Sequence, residues 1–267
     1  MKRSEPERDA AGAGARGDDA RLERSAQDDF AREYGAAKFG PVAVIVPSFR
    51  EAATIRSVLR EIPRAISGRE VSVLVIVDGD DDGASGIARD EDAYVCRTRL
   101  KRGQGAALRL GYRIALAHGS EFLVSLDADG QYVPAEMEGL LLPILRGEAD
   151  FVSGSRRLGI DGTIDRVRKA GVVVFALLIR VLTRHGVTDP AFGLRAMTAE
   201  VARAVTLREP QYQAAELLVG AIMRGFRVAE RPATLRRRGF AESRKAGPLA
   251  YGLQFARVTF LTWWRER

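Results

Sequence analysis

Two rhythms of apolar and polar positions run along most of this chain. A compact apolar run, Val42-Ala43-Val44-Ile45-Val46, stops at Pro47 and predicts a strand buried on both faces. Just beyond it, Ile55, Val58, Leu59 and Ile62 recur at helical spacing. The same alternation continues downstream. Strands are predicted at 71–77, 94–97, 122–126, 151–153, 192–197 and 226–235. Helices are predicted from Gly105 through Leu110 and Ile114, then over 167–183 and 213–224. Strands alternating with helices imply an α/β fold with a mostly parallel, doubly wound sheet. Ligands of such sheets sit beyond the carboxyl ends of the strands, so those ends are where chemistry is sought.

The first 29 or so residues break the rhythm: Arg, Glu, Asp, Ala and Gly dominate, and large apolar side chains are scarce. Such a stretch buries too little surface to offset its ordering entropy and reads as a disordered tail, with a short helix over 21–38 as the alternative. It also lacks the apolar centre of a secretory signal. The expected division is therefore a tail at 1–38, one folded domain at 39–247 and an amphipathic helix at 248–267. The longest strictly apolar run, 172–179, is far short of the roughly 20 residues of a spanning helix. The single cysteine, Cys96, excludes an intrachain disulfide and reads as a buried strand residue, which fits a cytoplasmic protein.

The formal charge is +7, and a basic surface calls for an anionic partner: nucleic acid, an anionic membrane or a phosphorylated substrate. No RNA-binding aromatic motif, zinc-finger spacing or basic zipper is present, so nucleic acid is not expected. Phosphates and membrane surfaces remain.

Asp127-Ala128-Asp129-Gly130-Gln131 follows a predicted buried strand. Carboxylates two residues apart can share a hard divalent ion, Mg²⁺ or Mn²⁺, with substrate phosphates completing the shell and the Gln131 oxygen as a further ligand. Taken alone, the same residues also suit a polar turn. Gly103-Gln104-Gly105 opens a helix, but Leu108 occupies the place of the third glycine of a dinucleotide fingerprint, which excludes that reading. Arg236-Arg237-Arg238, with Arg244 and Lys245, gathers positive charge. His118 and His185 each precede a glycine and read as helix-end residues rather than catalysts.

In this order the motifs resemble family 2 of the glycosyltransferases, in the branch of dolichyl- or polyprenyl-phosphate mannose synthases, over about residues 41–245. Val44-Ile45-Val46-Pro47-Ser48-Phe49-Arg50-Glu51 is similar to the family's opening VIPxYNE. Residues 77–83 are similar to DDGSxDG, with Val77 in place of the first Asp, and 102–111 to KGxGxAxRxG. Asp127, Asp129 and Gln131 match DADxQ, and Gly154-Ser155-Arg156 matches GSR. Asp189 to Arg195 matches D-x-x-x-G-x-R, Glu216 falls on the family's helical Glu, and Arg238 to Arg244 resembles RxxGxSK.

The resemblance implies a GT-A fold and an inverting, metal-dependent transfer of a hexose from a nucleotide sugar to a polyprenyl phosphate. GDP-mannose is the first expectation and UDP-glucose the alternative. It assigns Pro47, Ser48, Glu51, Asp78, Gly105, Asp127, Ala128, Asp129, Arg238 and Arg244 to the nucleotide sugar. Arg156 and Arg168 are assigned to the acceptor phosphate, and Asp127, Asp129 and Gln131 to the metal. Asp127, Asp129, Arg156, Asp189 and Arg238 form the implied catalytic set. The helix at 168–183 and the last helix are expected at the cytoplasmic face of the membrane as peripheral elements. Two other readings remain: a soluble acceptor, with Asp189 or Glu216 as base, or a non-catalytic protein with a basic membrane- or nucleic-acid-binding face.

Overall fold

The computed structural model describes residues 5–163, 165–237 and 248–267. Helix α1 (Glu5–Tyr34) precedes the first strand, β1 (Val42–Ser48), which leads into α2 (Ala52–Glu61). A short hairpin, β2 (Ala65–Ile66), then opens β3 (Arg69–Asp78). Next come α3 (Ala84–Asp90), β4 (Tyr94–Thr98), α4 (Gln104–Ala117) and β5 (Phe122–Ser125). A turn of 3₁₀ helix and α5 (Met137–Leu145) lead to β6 (Phe151–Asp161) and α6 (Arg166–Thr183). The chain continues with β7 (Arg195–Thr198), α7 (Ala199–Ala204), α8 (Gln213–Met223), β8 (Val228–Leu235) and α9 (Pro248–Glu266).

The strands form one sheet in the order β4-β3-β1-β5-β7-β6-β8, with β2 paired antiparallel to the start of β3. It is mostly parallel. β7 alone runs antiparallel between β5 and β6, so the carboxyl ends of β1, β3, β5 and β6 share one edge.

The period-two rule accounts for the two-sided burial of β1. Val42, Val44 and Val46 face a core shared with α2, α3 and α5, while Ala43 and Ile45 face the core under α4, α7 and α8. All five are fully buried, as the unbroken apolar run predicts.

The structure differs from expectation in three places. For the stretch read as a disordered tail, the alternative of a helix near 21–38 is the one seen: α1 reaches from Glu5 to Tyr34, and its second half belongs to the core. Ala26, Phe30 and Tyr34 follow at four-residue steps on one stripe, and the first two are buried against the α4 side of the sheet. The Tyr34 hydroxyl accepts the Val95 N–H of edge strand β4, so α1 closes an edge that would otherwise be open. β6 runs eight residues beyond its expected end, because its distal part pairs with β8 past a register shift between Ser155 and Ile160. The helices α3 and α5 had not been anticipated. α5 is apolar almost throughout and contains Pro143, which hides its period. At the other end of the chain, α9 falls where a helix was expected and packs Phe255 against Phe175 of α6, with ring centroids 4.1 Å apart.

Candidate active site

Three strand ends build the core of the site. β1 delivers Pro47 and Ser48, β3 delivers Asp78, and β5 leads into Asp127-Ala128-Asp129. Ser48 is 1% exposed, and its Oγ has no hydrogen-bond partner among the described residues. A buried polar atom left in this state at a strand end is a candidate ligand contact.

Asp78 does not face open solvent. Its carboxylate accepts the Arg102 N–H at 2.9 and 3.1 Å, the Gly103 N–H at 2.6 Å and the Thr98 hydroxyl at 3.0 Å. It therefore fixes the loop that opens α4. The same loop is pinned from behind: a Cβ on Gly103 would lie 2.4 Å from the Pro210 carbonyl oxygen, and one on Gly105 2.1 Å from that of Glu209. Gly103 also holds φ +94°, so glycine is required there on both counts. With the backbone so held, Gln104 Nε2 donates to Asp127 Oδ1 at 2.6 Å. That contact joins the glycine loop to the carboxylate pair.

Asp127 and Asp129 are both half-buried, while Ala128 between them is buried. The Thr54 hydroxyl holds the Ala128 carbonyl at 2.7 Å and also reaches the Glu51 carbonyl at 3.2 Å, so α2 stiffens the turn. Asp129 Oδ1 accepts the Gln131 N–H at 3.1 Å, the local bond expected of a polar turn. The Gln131 side chain donates to the Arg236 carbonyl at 3.3 Å, which draws it toward the end of β8. Among the described residues no group of three or more His, Cys, Asp or Glu gathers as a metal site. The two carboxylates are nonetheless a hard oxygen donor set that suits a divalent ion whose shell a phosphate substrate completes.

β6 brings Arg156 to the same edge. Asp189, fully buried, accepts from its backbone N at 3.1 Å, its Nε at 2.6 Å and its Nη2 at 3.2 Å. Burial pulls the Arg156 guanidinium down, but the charge and hydrogen bonds of Asp189, with Tyr132 and Asp161, together outweigh it, and the net shift is upward. Glu230 of β8 in turn accepts the N–H groups of Thr188 and Asp189. Asp189 thus orients an arginine.

Glu216, also fully buried, accepts the Arg208 and Glu209 N–H groups and the Arg265 guanidinium. It shapes the 207–210 loop that backs Gly103 and Gly105. Arg168, about half exposed, lies in the first turn of α6, 3.5 Å from Asp165. A cleft of about 70 Å³ between β6 and that turn is lined by Arg156, Arg157, Asp161, Thr163, Lys169 and Val172. Arg238 and Arg244 lie outside the described residues.

Other residues border the site besides those given roles in the sequence analysis. Phe49 carries the Lys101 ammonium 3.8 Å from its ring centroid and the Arg50 guanidinium at 5.5 Å. The Tyr132 hydroxyl accepts the Gly193 N–H, and burial, reinforced by the nearby Asp127 charge, pushes it well above its ordinary range. Arg195 is 3% exposed; burial lowers it, while Tyr112, Tyr132, Asp127 and Asp189 oppose the shift. In sequence, Arg195 stands out only as the last residue of the motif that begins at Asp189, without a role.

Residues 43–206 match the family model described as glycosyl transferase family 2, and the chain belongs to that family. It is 34% identical over 214 residues to a dolichyl-phosphate hexose transferase of Haloferax volcanii, covering 80% of this chain and 90% of that one. It is 29% identical over 217 residues to an undecaprenyl-phosphate mannosyltransferase of Micrococcus luteus, covering 77% and 88%. Among solved structures it is similar to glucosyl-3-phosphoglycerate synthase of Mycobacterium tuberculosis bound to phosphoglyceric acid. The TM-score is 0.63 at 23% identity, over 84% of this chain and 79% of that one. That likeness shows the fold, which is GT-A.

Proposed function

We propose that this chain transfers a hexose, with inversion, from a nucleoside diphosphate sugar to a polyprenyl phosphate, with GDP-mannose as the donor tested first. The observation that carries the reading is the contrast between its carboxylates. Asp127 and Asp129 stand half-buried at the strand ends, whereas Asp189 and Glu216, the candidates for a general base, are fully buried and held by arginines and backbone N–H groups. A sugar hydroxyl acceptor needs a base within reach. A phosphate monoester, with a second pKa of about 6, is already ionised near neutrality. The names of the Haloferax and Micrococcus relatives support the same acceptor class.

Asp127 and Asp129, with the Gln131 oxygen as a third candidate, would hold Mg²⁺ or Mn²⁺. When bound, such an ion neutralises charge developing on the diphosphate leaving group. A solved structure of the Mycobacterium tuberculosis synthase contains Mn²⁺ and UDP, and therefore UDP-glucose stays as the second donor to test. The protein residues do the positioning. Ser48, Glu51, Asp78 and the Gly103–Gly105 loop frame the nucleotide. Arg156, aligned by Asp189, and the cations beside it at the start of α6 draw in the acceptor phosphate, where planar guanidinium groups can grip two oxygens at once.

No described helix is long and apolar enough to cross a membrane. Yet α6 exposes Val173, Val174, Leu177 and Val181, and α9 exposes Leu253, Phe260, Leu261 and Trp264. These faces, with the basic residues of α6, support reception of the lipid at an anionic membrane surface.

Calorimetric titration of GDP, UDP, GDP-mannose and UDP-glucose, with and without Mn²⁺, tests the donor half. Metal-dependent binding of one series supports the reading and picks the base; no binding of any with metal present removes it. Transfer of radiolabelled hexose to polyprenyl phosphate in anionic vesicles, compared with soluble sugars, tests the acceptor half.

A further inference from the structure

Helix α1 lies outside the stretch that matches the family model, yet it sends one carboxylate into the base of the site. Glu23 is 3% exposed and meets three arginines of the α4 segment. Its Oε1 accepts from Arg102 Nη2 at 2.8 Å and from Arg109 Nε at 2.7 Å, and its Oε2 from Arg113 Nη1 at 2.5 Å. Arg102 is itself 4% exposed, so this is a buried ion cluster. Two other features tie the cluster to the site. The Arg102 and Gly103 N–H groups are those that Asp78 holds, and Gln104, one residue on, holds Asp127. Arg109 also donates to the Leu207 carbonyl at 2.8 Å, in the loop that presses on Gly103 and Gly105. The Arg102 side chain is therefore anchored inward by α1, while its backbone faces the strand ends.

We propose that Glu23 is a positioning residue for donor binding: by seating Arg102 and Arg109 it sets the 101–105 loop from which Asp78 and Asp127 take their place. The proposal rests on the reading of that loop as part of the donor site. Burial raises the Glu23 carboxyl, but the Arg109 and Arg102 guanidinium groups together outweigh that and hold it below the ordinary range, so the anchor is ionised at neutral pH. A buried carboxylate with several arginine partners loses the cluster when its charge is removed, while its shape is kept in the isosteric amide. Displacements of this kind in a supporting shell weaken binding without any change in the groups that touch the ligand.

The test uses the full chain carrying Glu23→Gln, with Glu23→Asp beside it. Two readouts are needed: calorimetry of GDP and UDP with Mn²⁺, and hydrogen exchange of the Arg102 and Gly103 amides. Glu23→Gln is expected to weaken binding of the preferred nucleotide about tenfold and to speed exchange at both amides, with partial recovery in Glu23→Asp. A folded Glu23→Gln protein with wild-type nucleotide affinity and unchanged exchange at 102 and 103 would overturn the proposal and leave Glu23 as an anchor for α1 alone. Should the wild-type protein bind neither nucleotide, the donor reading fails by itself. Exchange at 102 and 103 then decides whether Glu23 sets the loop. If Glu23→Gln does not fold, Arg113→Gln touches the cluster from its half-exposed side. About a twofold loss of affinity with faster exchange is then expected, and no change in either would overturn the proposal.

Discussion

Asp127 and Asp129 occupy a half-buried turn at the end of β5, whereas Asp189 and Glu216 are fully buried beneath the same edge of the sheet. The first pair takes hydrogen bonds from the amides of Gln104 and Gln131, while the second is held by Arg156 and Arg265. Residue type is the same, and surroundings set the role. A buried carboxylate whose oxygens are taken up by guanidinium and backbone N–H groups is a fixture; a half-exposed one remains able to bind a cation. The difference teaches that these four carboxylates divide into two with room left for a ligand and two enclosed by the groups they hold.

The sharpest way to break this contrast is Asp127→Asn. Transfer from the preferred donor should fall roughly a thousandfold, about 4 kcal/mol, with the melting temperature close to wild type. Steady-state rates and a thermal melt check both halves, and an unaffected rate would place the chemistry elsewhere. Asp189→Asn should cost about 3 kcal/mol of stability by leaving the buried Arg156 charge unpaired, as urea unfolding would read, and should slow transfer less than Asp127→Asn. Glu216→Gln keeps the shape of the carboxylate but weakens its hold on the 208–209 amides and Arg265. A loss of about 2 kcal/mol is expected, with a smaller effect on rate than Asp127→Asn.

Leu177→Asp leaves all four carboxylates alone and should weaken flotation with anionic, polyprenyl-phosphate vesicles about tenfold while nucleotide binding is unchanged. The smallest effect concerns pH. Glu23 titrates below its ordinary value of 4.5 in the folded protein, so its contribution is fully present above that pH and fades as pH falls through the lowered value. Acid titration followed by exchange at residues 20–34 should show α1 loosening below pH 4.5, and Glu23→Gln should remove that step.

Much of this arrangement was legible from residue order. β1, β3 and β5 declare themselves because a strand buried on both faces must be continuously apolar, and the Asp127/Asp129 pair stands out as polarity where that run ends. The pairing of Arg156 with Asp189 was not legible, since 33 residues separate them and only the antiparallel return of β7 brings them together. The distal half of β6 hid for a different reason. Residues 157–160 are exposed, and pairing with β8 resumes only at Ile160 past the irregular stretch, so no buried face imposes a period. In α1 two buried apolar residues, Ala26 and Phe30, are set among charges, and one of those charges, Glu23, is itself part of the interior. A buried ion cluster leaves no periodic trace, because its stability depends on arginines contributed about 80–90 residues later.

The 101–105 loop is reached from far apart in the chain. Glu23 grips Arg102 from one side; on the other, Arg265 holds Glu216, which holds the 208–209 backbone that abuts Gly103 and Gly105. Local order along β1 to β5 can form early as the chain emerges, but this loop cannot be finished until residue 265 has arrived. The longest step in this relay, Gly103 and Gly105 against Pro210 and Glu209, joins segments just over 100 positions apart, and such contacts are slow to close. A nascent chain would therefore present the β1–β5 strands before the 101–105 loop had its backing from the C-terminal helix.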